Sequence, residues 1–167
     1  LDGIGKIDEP RLLSLISTLQ ECDLVFNDQI STLCIGLNQR GRPTITISPT
    51  FVGQTVSSSE RLVYLICHEL AHGFMGDLLL GSTLKRSDFK LFNVLADMFS
   101  NGFLLSELFR GGAVADILAM FDELYPVGRP LAQLLRPPEL MDLDRPIDRV
   151  SELLHAKRFQ PDKMIQV

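Results

Sequence analysis

The order of apolar and polar positions divides the chain into helical and β-rich stretches. Residues 8–21 (DEPRLLSLISTLQE) read as a first helix, with Asp8 as its cap and Pro10 near its first turn. Two β-rich runs follow, Ser31 to Leu37 and Pro43 to Ser48, and Asn38-Gln-Arg-Gly41 between them predicts a hairpin turn. Thr44-Ile-Thr-Ile-Ser48 alternates polar and apolar residues, as a half-buried strand does. Pro43 at its start and Pro49 after its end assign it to a sheet edge.

The pattern then changes to a helical one. Ser57 and Glu60 have capping-box spacing, and the apolar run behind them predicts a helix to about Met75, weakened at its end by Gly73 and Gly76. Ser87-Asp88 caps a second long helix reaching about Phe109, where Gly111-Gly112 stops it. Shorter helices are expected at 113–124 and 146–158, separated by a Pro-rich, mostly extended stretch from Pro126 to Pro146. The elements sum to a compact α+β domain spanning 1–167, with its core at about 30–110 and a helical C-terminal part at 113–167.

Composition narrows the function classes. Apolar residues make up 46% and charged residues 22%, a balance that supports a packed core. The net charge is −5 and no Lys/Arg cluster occurs, which argues against a nucleic-acid or anionic-membrane surface. The most apolar stretches, Leu62 to Leu80 and Phe89 to Leu108, are broken by His, Glu, Asp and Asn and do not suit a membrane span. Cys22, Cys34 and Cys67 are odd in number and widely spaced, which fits a reducing compartment, and the expected location is cytoplasmic. No signal peptide is visible, and the chain begins with Leu, as a segment of a longer protein would.

The chemistry concentrates in His68-Glu69-Leu70-Ala71-His72. Residues four apart share a helix face, so an H-E-x-x-H pattern on a helix can aim both imidazoles at one ion, with Glu69 beside a metal-held water. Zinc, Zn2+, suits two neutral imidazoles and acidifies its water. The chain has three histidines, and two of them fall in this window. Hydrogen-bonded core histidines are the bland alternative, but a buried Glu beside two His requires partners or a metal.

The third ligand is expected on the second long helix. Asn93, Asp97 and Asn101 recur at i, i+4 and i+8 along an otherwise apolar helix, and a metal opposite would offset the cost of burying a carboxylate. Asp97 is therefore the preferred ligand, with Asn101 and Asn93 around it, Asn101 placed to orient a His. Asp77 is the rival, provided Gly76 ends the helix and turns the chain back; His155 is a further option. Tyr64, one turn before His68, is a core residue or an assisting hydroxyl.

Thr44-ITISPTFV-Gly53, Leu62-VYLICHELAHGFMGDL-Leu79 and Phe92-NVLADMFSN-Gly102 together resemble the VWA-like metallopeptidases. The resemblance covers about residues 44–102, and its specific element is the H-E-x-x-H. It implies a zincin-type zinc peptidase domain, a protein or peptide substrate, and association with a regulatory von Willebrand A-like domain or an AAA+ ATPase. Family features fall on Ser48-Pro49, on His68 to His72, and on Ala96-Asp97 with Asn101. The chain departs from the family in having Asp77 where a His is usual, and in lacking a D-x-S-x-S motif, so the A-like domain is absent or lies outside this chain. A broader zincin pattern would put the third ligand at Asn93, a poor zinc ligand.

The sequence thus leads to a zinc-dependent metallopeptidase with Glu69 as general base, possessing an edge strand able to hold an extended peptide. Two alternatives stand beside it: a non-catalytic, metal-stabilised protein-interaction module, and a zinc hydrolase acting on a non-peptide bond.

Overall fold

The computed structural model describes residues 14, 17–74, 86–109, 114–126, 134–137 and 140. Residues 17–21 are helical, and the rest of the helix expected at 8–21 falls largely outside the described residues. The helix expected at 146–158, His155, and most of the Pro-rich stretch also lie outside them.

Three strands form one mixed sheet in the order β1-β3-β2: β1 is Asp23–Phe26, β2 is Leu33–Leu37 and β3 is Pro43–Ile47. β2 and β3 make the expected antiparallel hairpin, with Ile35 opposite Ile45. Asn38 builds its turn: its Oδ1 accepts from the backbone N–H groups of Arg40 and Arg42, and Gly41 adopts φ 74°, which favours glycine. β1 pairs with β3 in parallel, Leu24 beside Ile45, and had no counterpart in the sequence reading.

This topology corrects the edge assignment. β3 lies between two strands, and its prolines are tolerated because Pro43 is its first residue and Pro49 already belongs to the next helix. The strand edge beside the motif helix is β2. The Ser48 N–H donates to the Thr32 carbonyl and the Asn38 N–H to the Arg42 carbonyl, so alternation along the antiparallel ladder turns the backbone groups of Leu33, Ile35 and Leu37 to the outer side.

Helix α1, Pro49–Thr55, was also not anticipated. Ser48 Oγ accepts from the Phe51 N–H and proline occupies the first turn, a recognised helix start that the preceding strand pattern obscured. Helix α2, Ser59–Phe74, carries the H-E-x-x-H motif. Its cap is Ser58, whose Oγ accepts from the Arg61 N–H at 3.2 Å, one residue later than the Ser57 read from the capping-box spacing. Helix α3, Arg86–Phe103, continues into a π-helical turn at Leu104–Leu108, closed by a bond from the Phe109 N–H to the Leu104 carbonyl. Helix α4, Val114–Leu124, matches the expected 113–124.

The class is α+β. Leu33, Ile45 and Ile47 of the sheet meet Tyr64, Cys67 and Leu70 of α2, with Leu104, Leu108, Ile117 and Phe121 completing one core cluster. α2 is pinned to α4 by Arg61, which is buried and donates to Asp116, Glu123 and the Thr55 carbonyl. Ser58 donates to the same Asp116. The three cysteines are free, and burial pushes the Cys67 thiol up to about 11. No helix among the described residues is long and apolar enough to cross a membrane.

Candidate metal centre

α2 presents His68 and His72 one turn apart, and α3 brings Asp97 against them. His72 Nε2 stands 3.1 Å from His68 Nε2, and Asp97 Oδ1 lies 3.1 Å from His72 Nε2 and 3.5 Å from His68 Nε2. The two rings are nearly perpendicular, at 85°. Of the sequence candidates, these three converge and form a group able to hold a metal ion. Asp77 lies outside the described residues.

The distances bear on the fit. Bonds of about 2.0–2.1 Å at tetrahedral angles place ligand atoms roughly 3.3–3.4 Å apart. The three measured edges, 3.1, 3.1 and 3.5 Å, bracket that spacing. Lone pairs of two imidazoles and a carboxylate aimed at one point repel unless a proton or cation lies between them. The His68 and His72 contacts already act in that sense: burial pushes the Asp97 carboxyl up, but hydrogen bonds from the two histidines outweigh it and hold it at about 2. The residues present therefore fit a divalent cation. His68 Nδ1 is buried with no hydrogen-bond partner among the described residues, so no acceptor there orients this ring.

Glu69 stands in the wall of the same cavity as the cluster and also reaches the sheet. It is 9% exposed, and the outward-facing N–H of Ile35 on β2 lowers its pKa. Burial raises the Glu69 carboxyl against the lowering influence of His68 and His72, and the net shift is upward, the direction that makes a carboxylate a stronger base.

The polar stripe on α3 runs from the surface inward. Asn93 is exposed and donates to Asp97 Oδ2 at 3.2 Å, steadying the carboxylate from outside. Asn101 is buried and does not orient a histidine as expected. Its Oδ1 accepts from the Tyr64 hydroxyl at 2.9 Å, and its Nδ2 donates to the Leu135 carbonyl at 3.0 Å. Tyr64 is thereby a core residue, 1% exposed and packed edge-on against Phe109 and Phe121.

A cavity of about 400 Å³ opens over the cluster, with His68, Glu69, His72 and Asp97 in its wall. It also has walls that the sequence reading missed: Thr32 to Ile35 around β2, and Phe121, Leu124 and Tyr125 at the end of α4. Burial raises the Tyr125 phenol, with the carboxylates of Asp97 and Glu69 adding to the shift. No local motif marks α4, because its contribution depends on a long-range packing contact with α2. Comparison with protein-family models, curated proteins and solved structures finds no match to this chain.

Proposed function

We propose that this protein is a zinc-dependent metallopeptidase with a zincin-like site. The observation that carries the reading is the convergence of His68 Nε2, His72 Nε2 and Asp97 Oδ1 at 3.1–3.5 Å, with the buried carboxylate of Glu69 beside them in an open cavity. Two imidazoles and one carboxylate are a donor set that zinc accepts, and three protein ligands leave a position for water and substrate. When bound, the ion supplies Lewis acidity towards a carbonyl oxygen and makes a water acidic near neutral pH.

The remaining steps belong to the chain. Glu69 takes a proton from the attacking water as its oxygen bonds to the scissile carbonyl carbon, then returns that proton to the amide nitrogen as the C–N bond breaks. Burial keeps the acidic proton away from bulk water during the exchange. Asn93 holds Asp97 in place, and the Ile35 N–H fixes the Glu69 carboxylate against the sheet. An extended peptide would lie along β2, whose outer edge meets no strand among the described residues, using the outward backbone groups of Leu33 and the Ile35 carbonyl.

Metal content by elemental analysis, beside hydrolysis of a casein or peptide-library substrate, tests the reading. We expect about one zinc per chain, loss of zinc in His68→Ala, His72→Ala and Asp97→Ala, and retained zinc without turnover in Glu69→Gln. Zinc retained in Asp97→Ala but lost in His68→Ala would move the third ligand towards Asp77. Zinc present with no hydrolysis by the wild type would return the site to a structural, partner-binding role. No zinc after reconstitution would overturn the reading altogether.

A further inference from the structure

The rows of core side chains run out into solvent at one side of the sheet. Leu24 is beside Ile45 and Phe26 beside Ile47 in the parallel register, so both stand on the face that carries those buried isoleucines. Yet Leu24 is 50% and Phe26 70% exposed, and Val25, on the other face, is 44% exposed. Three consecutive apolar residues are thus open on β1, and no strand among the described residues pairs with its outer side. Exposed edges are ordinarily blunted by lysine, proline or a free charge. β1 has no lysine or proline, and Asp23, its one charged residue, is tied to Asn38 Nδ2 at 2.8 Å and to Arg42 at 3.5 Å.

The backbone selects what covers this edge. The Asn27 N–H donates to the Ile47 carbonyl, so alternation turns Asp23, Val25 and Asn27 towards β3 and the N–H and C=O of Leu24 and Phe26 outward. Those groups are self-complementary. An antiparallel second copy centred on Val25 sets Leu24 opposite Phe26 and Phe26 opposite Leu24. Each pair exchanges two hydrogen bonds, so every outward group of both strands is satisfied. Other centres do worse. A twofold axis on Leu24 opposes Phe26 to Cys22, whose N–H is already given to the Leu19 carbonyl. One on Phe26 opposes Leu24 to Asp28, beyond the end of the strand. The Val25 register also gathers Leu24 and Phe26 of both copies on one face and sets Val25 against Val25 on the other. Asp23 then meets the neutral Asn27 rather than a like charge.

We propose that β1 is a homodimerisation edge, at which two copies of this chain join antiparallel strands into one six-stranded sheet. The proposal does not depend on the peptidase reading, since β2, which lines the cavity, is the opposite edge and stays open. Three apolar side chains per copy cover less than the roughly 1,000 Å² of a stable interface, so the dimer is reversible, with a Kd of about 10–500 µM.

Sedimentation velocity of the chain from about 5 µM to about 1 mM tests this, and we expect a shift from monomer to dimer across that range. Val25→Lys and Val25→Glu each set like charges against one another at the twofold axis and should weaken association at least about tenfold. An equimolar mixture of the two variants should recover it. Recovery on mixing cannot come from misfolded chains, and circular dichroism of each dilute variant checks the fold directly. A wild type that stays monomeric would overturn the inference and leave the edge to the strand of a different protein. Association unmoved by either substitution, or a mixture that stays monomeric, would overturn it as well. Zinc content and hydrolysis should match the wild type in both variants, so failure of the peptidase reading leaves this result standing.

Discussion

Replacing Tyr64 with phenylalanine deletes one oxygen atom and separates two roles for this residue. The hydroxyl lies 2.9 Å from Asn101 Oδ1, and Tyr64 and Asn101 are each 1% exposed. Water cannot replace the lost donor readily, so Tyr64→Phe leaves a buried amide oxygen without its donor while Nδ2 keeps the Leu135 carbonyl. A stranded buried acceptor costs about 1–3 kcal/mol. The ring contacts with Phe109 and Phe121 survive, so no cavity contribution adds to this. In urea, with a slope of about 2 kcal/mol/M, the middle of the usual range, the midpoint should fall by roughly 0.5–1.5 M. The assay is equilibrium urea unfolding followed by circular dichroism, run beside zinc content and hydrolysis. Zinc content should be unchanged and hydrolysis reduced less than threefold under conditions where the variant is folded. An unchanged midpoint with a tenfold or greater loss of hydrolysis would refute the reasoning, because it would put the hydroxyl at the reacting groups rather than in the core.

Removal of metal should lower thermal stability: an ion bound to the folded chain at about 1,000 times its Kd contributes about 4 kcal/mol, visible as a lower calorimetric Tm after chelation and restored by zinc. An unchanged Tm on chelation would count against occupancy of the His68, His72 and Asp97 group. Arg61→Ala should cost about 2–4 kcal/mol in the same urea assay, since it unlinks α2 from Asp116 and Glu123; both carboxylates are partly exposed, which keeps the loss below that of a fully buried pair. Hydrogen bonds from Ser58 and then Arg61 hold the Asp116 carboxyl below its ordinary value despite some burial. Its folded pKa is depressed, so its contribution is present above the unfolded value of about 3.9 and is lost as pH falls through the lower folded value. Asp116→Asn should therefore flatten the acid side of the stability–pH curve below about pH 4, and an unaltered slope there would contradict the assignment.

Much that depends on residues a few positions apart was legible in the chain itself, although the Ser48 cap and Pro49 start of α1 passed unread behind the strand pattern. His68 and His72 share a face because four residues nearly complete a helical turn, and that holds wherever the helix sits. Asp97 was legible for an energetic reason: a carboxylate in the middle of an apolar helix needs a partner, and the two histidines were the available ones. The hairpin turn at Asn38 to Gly41 is equally local. Tertiary structure alone decided which strand is the edge. Proline statistics speak for β3, but strand order is set by the parallel pairing of β1, a four-residue run whose side chains are mostly exposed and so leave little pattern to read. It also decided the fate of Asn101, because a side-chain amide at a known helix position can serve any neighbour. Packing delivered Tyr64 and the Leu135 carbonyl to it instead of a histidine. The cavity over the cluster has the same origin. Leu65 and Leu124 are ordinary leucines until α2 and α4 pack together, and a cavity is a property of the space between elements that no single segment encodes.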